Sequence, residues 1–314
     1  MKTRHWADMG ETTFVAGIWI LYWIHRLLGR WPFRLFLFPV VAVHWLTRPL
    51  VRKASLEYLG RVQNATNALG RTPDWRDSLR HMATFAETML DKLLAFSGRY
   101  PFEQIRYEGR EALFVPERVG RGGVIVTAHM GCLELCQAMA DRQGQATLNI
   151  LVHTRHAERF NRILQRLGPD KGLRLMEVTE LGPATAVMLN ERVAAGEFVV
   201  IAGDRIPVNS TQAVAADFLG HPAPFPVGPY VLAALMKCPL YLLVCIHDGP
   251  GYTIHFECMS DRVVLPRGKR ESVLADHARD YAERVSALLK RAPYDWFNFF
   301  PFWDQTHVSA KPNA

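Results

Sequence analysis

Apolar and polar residues alternate in two rhythms along the chain, and the rhythm changes near residue 100. From about residue 55 to 98 apolar positions recur every three or four residues. The run "DWRDSLRHMATFAETMLDKLLAFS" is the clearest case and predicts a helix. Beyond it, short Val/Ile/Leu runs alternate with amphipathic stretches. "GGVIVTA" precedes "CLELCQAMADRQ", "TLNILVH" precedes "AERFNRILQRL", and "PATAVMLNERVAA" leads into "FVVIAGD". "VGPYVLAALMK" then leads into "PLYLLVCI", "YTIHFECM" adds a strand, and "RESVLADHARDYAERVSALLKRA" closes as a long helix. Continuous apolar strands between helices are buried on both faces. The pattern predicts an α/β fold, a mostly parallel central sheet flanked by helices.

The first 55 residues behave differently. Thr12 to Leu56 contains no Asp or Glu, while Arg26, Arg30, Arg34, Arg48, Arg52 and Lys53 interrupt "FVAGIWILYWI" and "LFLFPVVAVHWL". Neither apolar run reaches the roughly 18–20 uncharged residues of a spanning helix. "HRLLGRW" follows the first run where a signal peptide would carry a small-residue cleavage site. Arginines among Trp, Phe and Leu suit helices lying in a membrane interface, with guanidinium groups reaching anionic headgroups. An ordinary helical subdomain covering the core and a genuine membrane span are the alternatives. The expected division is a membrane-associated helical segment at 1–55 and an α/β domain at 56–314.

Composition narrows the partners. At 314 residues, 49% hydrophobic and 21% charged, the chain reads as globular, with a net charge of +7. That charge suits an anionic membrane face or an acidic soluble partner. Nucleic acid is excluded as a partner, since no zinc-finger spacing, RNP-like motif or long basic run is present. The five cysteines are odd in number and set in apolar runs, as buried thiols are. Cys132 and Cys136 would share a helix face, either as small packing residues or as a metal pair. GxSxG, GxGxxG, HExxH and the phosphate-binding P-loop are absent.

Candidate chemistry centres on "VIVTAHMGCLELC", where His129 and Glu134 lie five positions apart. With 12 histidines and 30 acidic residues such a pair arises by chance, and His153/Glu158 is a second one. Context separates them only partly, because both follow an apolar run, at the strand ends where open α/β sheets place sites. After His129, Gly131 permits a sharp turn into the helix. Glu134 is expected in the first helical turn, reaching back to one ring nitrogen and leaving the other free to take a proton.

"TAHMGCLEL" resembles the His-x4-(Asp/Glu) block of the lysophospholipid acyltransferase superfamily. The wider sequence resembles its bacterial branch, the lipid A biosynthesis late acyltransferases, and a stand-alone subgroup within it. The resemblance runs from "HWADMGE" to the C-terminal aromatics. It implies transfer of an acyl group from acyl carrier protein or coenzyme A to a hydroxyl or amine of a lipid acceptor, without metal or redox cofactor. It further implies work at the cytoplasmic face of the inner membrane, with peripheral or monotopic attachment. His129 becomes the general base and Glu134 its orienter.

"LVHTRHAERFNRIL" resembles the next block and gives Arg155 a substrate-binding role. In "VVIAGDRIPV", Asp204 and Arg205 stand where the family lines its acceptor or phosphate pocket. The Asp-Arg pair departs from the Asp-Gln-Asp-like run of the lipid A enzymes, which argues against lipid A itself as acceptor. A purely structural Asp204–Arg205 pair is the competing reading. In "FLGHPAPFPVGPYVLAALMK", Pro226, Gly228 and Pro229 make a rigid turn and start a helix, shaping an acyl pocket or serving as scaffold. The C-terminal Trp296, Phe297, Phe299, Phe300, Phe302 and Trp303 seal an acyl tunnel, sit at a membrane rim, or fill the core. A non-catalytic lipid-binding protein and a thioesterase on the same fold are the alternatives.

Overall fold

The computed structural model describes residues 15–304, apart from 114, 116–117, 119, 144–145, 153–173, 178–182 and 207–211. Strands β1 (Ile105–Glu108), β2 (Gly123–Thr127), β3 (Leu148–Val152), β4 (Arg174–Glu177) and β5 (Phe198–Ala202) join two later ones. These are β8 (Leu240–Asp248) and β9 (Gly251–Ser260), and the seven form one sheet in the order β1-β9-β8-β2-β5-β3-β4. Five of them, β8 to β4 across the sheet, run parallel, and β9 with β1 runs the other way. The expected mostly parallel α/β sheet is present. β2 is buried at every position because its two faces feed different cores. Val124 and Val126 face one, Ile125 the other, as the two-residue period of a strand requires.

One face is covered by α3 (Pro49–Thr66), α6 (Pro183–Ala194), α7 (Gly228–Met236) and α8 (Arg270–Arg291). The other lies under α1 (Val15–Leu28), α2 (Arg30–Thr47), α4 (Trp75–Phe96) and α5 (Leu133–Gln143). Helix α4 starts on a capping box: Asp74 accepts the Arg76 and Asp77 amides, and the Asp77 carboxylate accepts the Asp74 amide. A separate antiparallel hairpin, β6 (Ala213–Phe218) and β7 (His221–Pro226), packs against α8.

The N-terminal helices bear on two expectations. The boundary after residue 55 falls inside α3, where Ser55 is fully buried and bonded to His81 of α4. Arg30 and Arg34 do not reach outward as expected. They pair with Asp91 and Glu87 of α4, at 2.9 and 2.8 Å. Phe33, Leu37 and Val41 of α2 pack inward, while Trp31, Leu35 and Phe38 on its other side are exposed. No single helix among the described residues is long and apolar enough to cross a membrane. Helices α2 and α3 pass that test only as a pair, bent by 98°.

Candidate active site

Sheet register brings the site together. β2 and β5 are parallel neighbours with Thr127 opposite Ala202. Two residues further on, the same register sets His129 beside Asp204, at the carboxyl edge where parallel sheets present their side chains. The Asp204 carboxylate takes three hydrogen bonds. Oδ1 meets His129 Nδ1 at 2.8 Å, while Oδ2 accepts the His129 amide and the Trp296 indole N–H, each at 2.8 Å. Nδ1–H must be the donor in the first of these, so Nε2 keeps its lone pair.

Charge follows the geometry. Burial alone would raise the Asp204 pKa, but His129, the hydrogen bonds and Arg205 overcome it and hold the carboxyl at about 2. The His129 pKa is lowered, first by desolvation at the crowded edge and then by the Arg205 guanidinium, against the pull of Asp204. The pair therefore stands as neutral imidazole and carboxylate. His129 still keeps 38% of its side chain exposed, which leaves the ring approachable.

The loop after His129 turns as expected. Gly131 has φ +56°, and a Cβ there would lie 1.6 Å from the Cys245 carbonyl oxygen. Its amide and that of Cys132 bond to Asp295 and Cys245 carbonyls, so both φ and space reserve the position for glycine.

Glu134 is placed differently from expectation. It lies in the first turn of α5, but its carboxylate pairs with Lys92 of α4 at 2.9 Å and accepts weakly from the Cys132 thiol. The cause is the packing of α5. Cys132, Leu135, Cys136 and Met139 are buried on the face toward α4, and that rotation carries Glu134 to Lys92. The carboxylate on the imidazole is thus Asp204, expected to line an acceptor pocket. Glu134 raises the pKa of Lys92 against the effect of burial.

Arg205 bonds the Phe297 carbonyl at 3.2 Å, and its guanidinium lies 5.8 Å from the Phe300 ring. Burial lowers its pKa, opposed by Asp204. Pro226 ends β7 and Gly228 opens α7 with Pro229 in the first turn, beside Ile201 of β5. Neither bonds to His129 or Asp204. Arg155, with His153 and Glu158, lies outside the described residues.

Three contributors carry no local sequence signal. Lys92 sits in an unremarkable amphipathic helix. Trp296 is 1% exposed and belongs to the core with Phe218 and Phe302, yet its indole N–H is on the dyad. Phe297, Phe300, Phe302 and Trp303 of the aromatic cluster are buried as well, and Phe299 is half-buried against the core. His81 of α4, fully buried, donates from Nε2 to the Trp296 carbonyl at 2.9 Å, and its Nδ1 accepts from Ser55. All five cysteines are free thiols, four of them buried.

The family model described as bacterial lipid A biosynthesis acyltransferase matches residues 78–305, nearly three quarters of the chain, and takes in the whole of this site. No curated protein matches the chain.

Proposed function

The chain belongs to the bacterial lipid A biosynthesis acyltransferase family, and from that premise we propose an acyl transfer run by His129 and Asp204. The donor is a fatty acyl thioester of acyl carrier protein or coenzyme A. The acceptor is a hydroxyl or amine of a lipid. The observation that carries this reading is the Asp204 carboxylate held on both the backbone and the Nδ1 of His129.

A fixed Nδ1–H tautomer leaves Nε2 as the proton acceptor. It takes the proton of the acceptor hydroxyl as the oxygen attacks the thioester carbonyl carbon, and Asp204 stabilises the imidazolium that forms. The tetrahedral intermediate then expels the thiolate, the C–S bond breaks, and Nε2–H returns its proton to the leaving sulfur. The ester and the free carrier thiol account for every atom, and the step needs no metal or redox group. The lowered pKa of His129 keeps it neutral, as a base must be at the start.

The departure at Arg205 favours a lipid acceptor other than lipid A, because Asp204 is already taken up by His129 and a guanidinium follows it. Arg205 and Arg155 are the residues proposed to grip an anionic part of the substrates. The exposed apolar side of α2, with a basic segment around it, supports monotopic attachment to the cytoplasmic face of the inner membrane.

Transfer from an acyl thioester to extracted membrane lipids, read by mass spectrometry, tests the proposal. His129→Ala should lower turnover about 10³–10⁴-fold and Asp204→Asn about 10²–10⁴-fold. A folded His129→Ala enzyme with near wild-type turnover would overturn the mechanism. Rapid thioester hydrolysis without acceptor would instead assign a thioesterase.

A further inference from the structure

The carboxyl edge holds a second histidine clamp built like the first. His247, near the end of β8, gives its amide to Asp295 Oδ2 at 2.5 Å and its Nδ1 to Asp295 Oδ1 at 2.8 Å. Asp295 is 3% exposed on its side chain, and His247 30%. Nothing in the transfer step above uses this pair. Its aspartate begins a short segment, Asp295-Trp296-Phe297, that pairs with the His129 loop through one antiparallel bridge, Trp296 opposite Met130, and each of these three residues holds that loop. The Asp295 carbonyl accepts the Gly131 amide at 2.9 Å, and the Phe297 amide donates to the His129 carbonyl at 2.8 Å. Between them the Trp296 indole donates to Asp204.

We propose that His247 is a positioning residue for the reaction, acting through Asp295 to set the register of this strap on the His129 loop. The inference rests on the reading of His129 and Asp204 as the reacting pair. A segment three residues long has a single antiparallel bridge, Trp296 opposite Met130, to fix where it lies, so its side-chain anchors share in deciding the position. His81 and Tyr58 hold it from the helices, at the carbonyls of Trp296 and Pro293. From the sheet, the end of β5 holds it at Trp296 and Phe297 through Asp204 and Arg205, and His247 of β8 holds its first residue, through both carboxylate oxygens of Asp295. Loosening that clamp lets the Asp295 and Phe297 backbone groups slide, and with them Gly131, the His129 carbonyl and the Asp204 carboxylate. A misplacement of about 1 Å at a base is worth about 10²-fold in rate.

The arrangement is more than packing, because the ring already has a packing partner. His247 lies on Tyr252, centroids 4.1 Å apart, and that contact would survive in phenylalanine. What phenylalanine lacks is the Nδ1–H. Asparagine carries an amide N–H at nearly the same place on the side chain, so it restores the bond to Asp295 without restoring an imidazole.

The test compares His247→Phe and His247→Asn with wild type and His129→Ala in the transfer assay. His247→Phe should lose about 10–100-fold in kcat with KM for the thioester within about twofold, and His247→Asn should recover to within about threefold of wild type. An unchanged kcat in His247→Phe overturns the proposal. So does an asparagine variant as slow as the phenylalanine one, which would make the imidazole itself necessary. His129→Ala with full turnover would remove the underlying reading and leave the strap a matter of structure. Amide hydrogen exchange on the wild-type protein supplies the measurement that survives a variant failing to fold. Gly131 and Phe297 should be among the slowest amides of the loops, and fast exchange at both would sink the strap.

Discussion

The His129 edge and the N-terminal helices α1 and α2 solve opposite problems. At the edge, the backbone groups around His129 meet named partners within the chain: Asp204, Phe297, Asp295 and Cys245. On α2, Trp31 and Leu35 are 80% and 73% exposed. The edge gathers charges and must hold them still, since a buried polar group left unpaired is costly. The helical face gathers apolar side chains that no other part of the described chain covers, and an exposed apolar patch marks a surface for interaction. One region is finished within the described chain, and the other leaves its apolar side exposed.

The largest expected break in that contrast is Gly131→Ala. The added methyl meets the Cys245 carbonyl, and alanine resists φ +56°. We expect stability to drop by about 3 kcal/mol or more and turnover to vanish with it. A variant of normal stability and activity would show that the loop is not tightly fixed.

Acid should loosen the same region next. His81 is fully buried and its pKa falls from 6.5 to about 4, chiefly by burial, with the bond to Trp296 opposing. The unfolded chain takes up that proton below about pH 6.5, and the folded chain does not until about 4. Stability is therefore full above 6.5 and declines as pH falls toward 4, by about 3 kcal/mol from this group. His81→Gln, whose amide N–H can still reach the Trp296 carbonyl, should flatten the difference between pH 7 and 4 in denaturant titrations. An unchanged pH slope in that variant would assign it to other groups.

A smaller loss is expected where the two regions are tied together. Asp91 is fully buried beneath Arg30 and also accepts from the Tyr252 hydroxyl. Arg30→Leu strands that carboxylate and should cost about 2 kcal/mol, whereas Arg34→Leu, half-exposed against Glu87, should cost under about 1 kcal/mol. Equal losses in chemical denaturation would mean that burial of Asp91 carries no weight here.

These regions differed also in how far the sequence disclosed them. The sheet was legible because β2, β5 and β8 are apolar at consecutive positions, and Gly131 because a turn must follow a strand that feeds a helix. The β6–β7 hairpin was not, since Pro222, Pro224 and Pro226 mask a strand. They alternate along β7, so the positions lacking N–H fall on one side, as at a free edge. Arg155, the proposed second contributor, lies outside the described residues. The orienting carboxylate was misread for a different reason. Spacing of five along the chain singled out Glu134, whereas the partner of His129 comes from 75 residues away, through strand register. Local spacing reports what shares a helix turn. It does not report which strands lie side by side, and no spacing rule pointed to Lys92, His247 or Trp296.

The smallest effect on the fold separates the two regions most cleanly. Leu35, Phe38 and Leu46 are exposed on α2, so replacing each with asparagine removes little buried surface and should change stability by no more than about 0.5 kcal/mol. If that face lies in a bilayer, each apolar side chain placed in the acyl boundary is worth about 1.5–3 kcal/mol. The triple variant should then partition about 10²-fold or more less onto phosphatidylglycerol-containing vesicles, while its thermal unfolding in detergent matches wild type. Activity on soluble short-chain acceptors should be retained, since the substitutions lie on the helix side opposite Phe33, Leu37 and Val41. If instead a second copy of the chain covers the face, vesicle binding will not change and the oligomer will dissociate in sedimentation. That outcome would detach the apolar helix from the membrane and leave the chemistry of His129 untouched, because the substituted side chains lie on the side of α2 away from the core that it shares with α5 and the sheet.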